Sequence, residues 1–244
     1  MRRKEIGLNL GKIEYRSSQL LYFLNDPPPP FISIQTAQLF AEVFSGHPWY
    51  ERMKCSECDS YFKDAHPEGT ICADCKQGLI TPAYPIDKTT LMINDIFLKP
   101  NHRMFLIENG GIVGFAWGYT RSAEEAVNGF GPHAEEALNQ IRSLSNNSSL
   151  IFTAAEIGIR ENMRGKGYGK LLLTKLLEQA RVIQAPVTIW TRSDTILAPI
   201  CLKMGFTQIF GPELILVQGK STLTGNKLIG LDKNTPERVL FLSI

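Results

Sequence analysis

Arg164-Gly165-Lys166-Gly167-Tyr168-Gly169-Lys170 interleaves three glycines with three cations. A strand-like stretch, 150–159, precedes the run, and a helix-like stretch, 171–181, follows it. Glycine lets the backbone approach a ligand without Cβ obstruction. The first amides of a helix have no intrahelical partner, and the helix dipole adds about half a positive charge there. Arg164, Lys166 and Lys170 add full charges. The chemistry this favours is pyrophosphate binding. The run is not a Walker loop, because no Gly-Lys-Ser/Thr follows four residues after a first glycine, and its alternate-position glycines do not fit Gly-x-Gly-x-x-Gly.

A second constellation is Cys55-x-x-Cys58, thirteen residues, then Cys72-x-x-Cys75. Each pair makes a tight turn that aims two thiolates at one ion, and two turns supply the corners of a tetrahedron. The spacing predicts a zinc ribbon. A module this small cannot fold on its own core, and zinc supplies the missing stability. Four thiolates close the coordination sphere, so the site is structural rather than catalytic. Iron is the rival metal, and disulfides or a redox CxxC are the readings without metal. The segment carries Lys54, Lys63 and Lys76 against Glu57, Asp59, Asp64, Glu68 and Asp74. An acidic ribbon is a poor phosphate binder, which weighs against nucleic acid and towards a basic partner or amine substrate.

The phosphate-type run contains the spacing Arg-x-x-Gly-x-Gly, at Arg164, Gly167 and Gly169. This resembles the acyl-CoA pyrophosphate loop of the GNAT N-acyltransferase superfamily. Ala155-Glu156-Ile157-Gly158-Ile159-Arg160 precedes it as that family's fourth core strand does. Pro186-Val187-Thr188-Ile189-Trp190-Thr191 follows as a β-rich run, then a helical stretch 195–203 and the turn Met204-Gly205-Phe206. The resemblance covers residues 31–210, minus two insertions. It implies an α/β (α+β) fold: a mixed, mostly antiparallel sheet flanked by helices, with the zinc ribbon inserted.

The resemblance also implies a function: an acetyl-CoA-dependent N-acetyltransferase in which a primary amine of a small molecule or protein attacks the thioester in a ternary complex. By the family pattern, Ile157, Gly158 and Ile159 pair their backbone with the pantetheine arm. The stretch Arg164, Gly165, Lys166, Gly167, Tyr168, Gly169 and Lys170 takes the pyrophosphate. Asp194 matches a cofactor-side position, or else caps the next helix. Glu156, a carboxylate in a largely apolar strand, lies on the face opposite Ile157 and Ile159. It is the candidate general base, with a strand-edge ion pair as the alternative. Cys201 stands where many members carry a tyrosine that protonates the departing thiolate. It is either a buried small hydrophobe or a proton donor, and the departure puts the general acid in doubt. His47 and Trp49 follow the first helix, where the family builds its acceptor pocket; His47-Pro48 reads equally as turn chemistry. The competing function is a non-catalytic acyl-CoA-binding or zinc-ribbon interaction protein on the same scaffold.

The elements around these motifs read as follows. Residues 1–30 are an N-terminal short helix or extended arm ending in the polyproline linker 27–30. Residues 31–244 form the acetyltransferase domain, with the ribbon at 51–80 and a helical insertion at 121–149. Within it, 31–35 reads as a first strand, 36–45 and 85–98 as helices, and 103–108 with 112–119 as a hairpin about Asn109-Gly110-Gly111. A strand at 214–217, an excursion at 219–235 and a last strand at 238–244 close the chain.

With 43% hydrophobic residues, 244 residues can bury one sizeable core or a core and a satellite. A net charge of +2 singles out no partner. Ile6-Gly7-Leu8-Asn9-Leu10 is too broken for a signal peptide, and no run approaches the ~20 apolar residues of a membrane helix. The expected location is cytoplasmic, where thiols stay reduced. The expected partners are acyl-CoA, an amine acceptor and a protein docking on the ribbon.

Overall fold

The computed structural model describes residues 11–16, 19–58, 60–64, 66–128, 134–192, 194–210, 213–217, 220–224 and 238–243. The strands make up a mixed sheet, with helices between them in the chain order. Two units divide the chain: Met1–Trp117 with Glu156–Leu172, and Gly118–Ala155 with Leu173–Ile244.

In the first unit, β1 (Gly11–Arg16) and β2 (Gln19–Leu24) form an antiparallel pair, and β2 continues onto β6 (Arg103–Glu108), Leu24 opposite Met104. This corrects the expectation of a short helix or extended arm there: Leu21 and Leu24 are buried, which a free arm would not achieve. Helix α1 (Pro30–Ser45) begins at the prolines and takes in residues 31–35, expected as a strand. Proline at the first helical position is pre-set for helix, and Ser33, Thr36, Ala37, Phe40, Val43 and Phe44 continue one buried stripe at helical spacing. The β-branched Ile34 and Phe31 that suggest a strand lie outside the stripe and are exposed. The four-cysteine module follows as a small sheet, β4 (Tyr61–Phe62), β3 (Met53–Cys55) and β5 (Ile80–Pro82), with β3 at its centre. Helix α2 (Ile86–Asp95) packs on α1.

Strand β7 (Ile112–Arg121) pairs with β6 about the expected glycine turn, where the Asn109 N–H donates to the Gly111 carbonyl at 2.9 Å. Phe40 of α1 stacks on Phe115 and Trp117 of β7, with centroids at 5.6 and 5.7 Å. The second half of β8 (Ile151–Ile159) and the start of α5 (Tyr168–Ile183) complete this unit.

In the second unit, α3 (Ala123–Ala126) and α4 (Ala134–Leu144) lie in the expected insertion. Ser122 and Glu125 form a capping box at the start of α3. Ala123, Ala126, Ala137, Ile141 and Ile151 make a buried cluster against Trp190. Here β8 runs parallel to β9 (Val187–Arg192), Phe152–Ala154 facing Val187–Ile189. Strand β13 (Arg238–Ser243) pairs antiparallel with β9 and with β10 (Thr207–Phe210). Helix α6 (Leu197–Lys203) precedes β10. Strands β11 (Glu213–Val217) and β12 (Lys220–Thr224) form a separate hairpin; the rest of the 219–235 excursion lies outside the described residues. No helix among the described residues is long and apolar enough to cross a membrane.

Candidate active site and four-cysteine centre

Strand β8 delivers the loop. Alternation along it places Glu156 and Gly158 on one face and Ile157 and Ile159 on the other. The faces are distinguishable by contact: Gly158 lies against Phe115 and so on the α1 side, whereas the Ile159 side chain lies against Gly114 and Ile107 is its neighbour there. Glu156 is half-buried on the α1 side.

Beyond β8 the chain makes a tight turn. The Met163 N–H donates to Arg160 O at 2.9 Å and the Arg164 N–H to Glu161 O at 3.1 Å. Gly165 and Gly167 then adopt φ of +75° and +85°, the left-handed region that disfavours side chains. A Cβ at Gly165, Gly167 or Gly169 would meet nothing within 4 Å. The loop's glycines are thus not packed against protein; the space above them is open to a ligand. The first α5 amide to find a partner is Leu171, which donates to Gly167 O at 3.0 Å. Helix geometry leaves the amides ahead of it without intrahelical acceptors. Donor set, charge and open space fit a pyrophosphate.

The loop's side chains divide the work. Lys166 and Lys170 are exposed, and Lys166 Nζ approaches Met163 Sδ at 3.3 Å. Tyr168 is buried, so its ring anchors the helix start and only its backbone faces the loop. Arg164 does not point into the open space: its Nη1 donates to His47 O at 2.7 Å and its Nε to Ile159 O at 3.2 Å.

The α1 side of β8 carries a cluster that the sequence reading did not single out. The Tyr84 hydroxyl donates to Glu51 Oε2. Its ring lies edge-on to Phe40 at 5.1 Å, and Phe44 and Tyr61 are at 5.8 and 6.3 Å. Burial, then the negative charge of Glu51, pushes the Tyr84 phenol far above its ordinary range, and the Glu156 charge adds to this. Tyr84 is neutral at any working pH, and its charge environment includes the candidate base. Glu51 and Tyr84 flank the four-cysteine module, and the β3–β5 pairing with the Ala83 N–H to Arg52 O bond at 3.0 Å brings them together. The available signal was positional: the ends of an inserted module must meet.

In the second unit, Asp194 neither caps α6, whose N-cap is Ile196 without a side-chain bond, nor stands alone. It is held bidentately by Arg192, Nε to Oδ1 at 3.0 Å and Nη2 to Oδ2 at 2.9 Å. Cys201 is fully buried on α6, and burial pushes its thiol up to about 12.

The four module cysteines are free thiols that all lie within 4.8 Å of one another, Cys55 to Cys75 at 3.6 Å and Cys58 to Cys72 at 3.8 Å. Disulfide sulfurs sit about 2.05 Å apart, whereas the edge of a tetrahedron with 2.3 Å metal–sulfur bonds is about 3.8 Å. Backbone amides turn onto the sulfurs, Glu57 N to Cys55 at 3.4 Å and Gly78 N to Cys75 at 3.3 Å. The Gly78 and then the Gln77 amide hold the Cys75 thiol down to about 6. Cys55, Cys72 and Ile80 form the module's own small core. Geometry and donors fit a tetrahedral thiophilic ion such as zinc.

The profile of the Acetyltransferase (GNAT) family matches residues 60–206, more than half of the chain, from within the four-cysteine module to just past α6. The chain belongs to the GNAT acetyltransferase family. It is an N-acetyltransferase by that membership, with acetyl-CoA as donor. Among solved structures, the C-terminal condensation domain of Ebony in complex with beta-alanyl-dopamine is similar with a TM-score of 0.53 at 11% identity, over 91% of this chain and 98% of that one. The yncA protein of Salmonella typhimurium with its cofactor acetyl-CoA has a TM-score of 0.49 at 12% identity, over 93% of each chain. The polyamine N-acetyltransferase of Drosophila melanogaster has a TM-score of 0.49 at 10% identity, over 91% of this chain and 99% of that one. No curated protein sequence matches significantly.

Proposed function

We propose that this GNAT enzyme transfers the acetyl group of acetyl-CoA directly to a primary amine, with the donor pyrophosphate on the 164–170 loop and Glu156 as general base. The observation that carries this reading is the pairing of a glycine loop whose Cβ positions would meet no protein atom within 4 Å with a half-buried carboxylate on the strand leading into it.

The amides ahead of Leu171, with Lys166 and Lys170, would hold the pyrophosphate. The 157–159 backbone would pair with the pantetheine arm. Glu156, on the α1 side, would take the proton of the incoming ammonium through water or directly. The neutral nitrogen then attacks the thioester carbonyl carbon; an N–C bond forms, the C–S bond breaks, and the departing thiolate takes up the proton that the acylated nitrogen gives up. Cys201, buried on α6, would pack rather than supply that proton. Zinc on Cys55, Cys58, Cys72 and Cys75 would be structural, since four thiolates leave no open position. Five free cysteines accord with a cytoplasmic location.

Putrescine, tyramine and lysine methyl ester, each added to protein and acetyl-CoA, test this by release of CoA thiol. Amine-dependent release that Glu156→Gln abolishes is expected. Acetyl-CoA bound tightly with no release on any of the three would contradict it.

A further inference from the structure

Both arginines around the donor loop turn towards α1 and the segment after it. Arg160 reaches Glu42 of α1, Nε to Oε2 at 3.3 Å. Arg164 bridges two carbonyls, Ile159 at the end of β8 and His47 in the turn after α1. That turn is internally braced: the Tyr50 N–H donates to Gly46 O at 2.8 Å, and the Glu51 N–H to Phe44 O at 2.9 Å. Trp49 lies on Phe44 with centroids at 5.2 Å. The turn then passes directly into Glu51, the acceptor of the Tyr84 hydroxyl. One guanidinium therefore joins the strand that carries Glu156 to the turn that sets Trp49 and the Glu51–Tyr84 pair.

We infer that Arg164 is a positioning residue that ties the 46–51 turn to the donor loop, so that amine binding depends on its side chain and pyrophosphate binding does not. The inference rests on the donor and base assignments proposed above. A charged donor on two backbone carbonyls is a strong, oriented link. Nη1 and Nε are committed to it, while Lys166 and Lys170 remain as the exposed cations at the helix start. Losing the link frees the turn from β8, and Trp49, Glu51 and Tyr84 lose their register against Glu156.

The test uses the metal-replete full chain. Acetyl-CoA affinity is measured by calorimetry, and KM and kcat are measured with whichever of putrescine, tyramine and lysine methyl ester the wild type acetylates fastest. Arg164→Gln is expected to raise the amine KM about tenfold or more, the loss of a charge-assisted bond, with acetyl-CoA Kd held within about threefold. Arg164→Lys, which can reach one carbonyl, should fall between. Lys166→Ala should show the opposite split. Acetyl-CoA binding by Arg164→Gln also reports that the variant is folded. Loss of acetyl-CoA affinity with amine KM unchanged, equal loss of both, or no change in either would overturn the inference while leaving the donor reading standing. A wild type that releases no thiol with any of the three amines would overturn that reading and the inference together.

Discussion

Gly158 of β8 lies against the ring of Phe115 on β7: a Cβ at that glycine would fall 2.2 Å from Phe115 Cζ. The ring cannot yield easily, because Phe115 is fully buried and stacks on Trp117 at 4.9 Å and Phe40 at 5.6 Å. Overpacking of this kind costs about 1–3 kcal/mol. Gly158→Ala should therefore lower the urea midpoint by that equivalent, and a variant as stable as wild type would show that the strand is less tightly seated.

Glu156 sits two residues before that contact, on the same face. General base catalysis contributes roughly a hundredfold to ten-thousandfold. Glu156→Gln should lower kcat by at least about a hundredfold, with acetyl-CoA affinity unchanged in calorimetry. A variant retaining most of its thiol-release rate would move the base to another group.

Much of this site was legible in the residues. The glycine run before a helix-like stretch predicts a turn feeding a helix start, and Gly165 and Gly167 adopt positive φ immediately before the helix that begins at Tyr168. The doubled CxxC spacing predicts four thiols converging on one point, and the structure brings the four sulfurs within 4.8 Å of one another. Helix α1 was only half legible: Phe31, Ile32 and Ile34 have strand propensity, and the decision belongs to the stripe continuing from Ser33 to Phe44 and to the prolines at its start. Strand β2 reads as an arm because its partner, β6, lies some eighty residues ahead. The Tyr84–Glu51 pair and the Arg164–His47 bond were not legible, since each joins positions that only tertiary structure brings together.

The cysteine geometry makes metal content a direct readout. Purified protein should carry one zinc per chain, as a four-thiolate site holds one ion. Chelation should lower Tm, because the module's own core is only a few residues. Cys58→Ser should weaken zinc retention. Metal-free protein with unchanged Tm and kinetics would contradict a structural role.

Cys201 gives a pH signature. Its folded thiol is pushed up to about 12 from an ordinary value of 9.0. Above pH 9 the unfolded chain loses this proton while the folded chain keeps it, so stability should fall as pH rises from about 9 towards 12. Urea unfolding across that range should be less steeply pH-dependent in Cys201→Ala than in wild type. The same variant should keep kcat within about threefold, as removing a packing group rather than an acid requires. A large loss of kcat without loss of acetyl-CoA affinity would return Cys201 to the chemistry.

The central claim is that the 164–170 loop holds the donor. Calorimetric titration with acetyl-CoA, wild type beside Lys166→Ala/Lys170→Ala, tests it most directly. Saturable binding, weakened about tenfold or more in the double variant as the loss of two phosphate-facing cations requires, is the expected result. Absence of binding to the metal-replete wild type, or equal affinity in the two proteins, would contradict it.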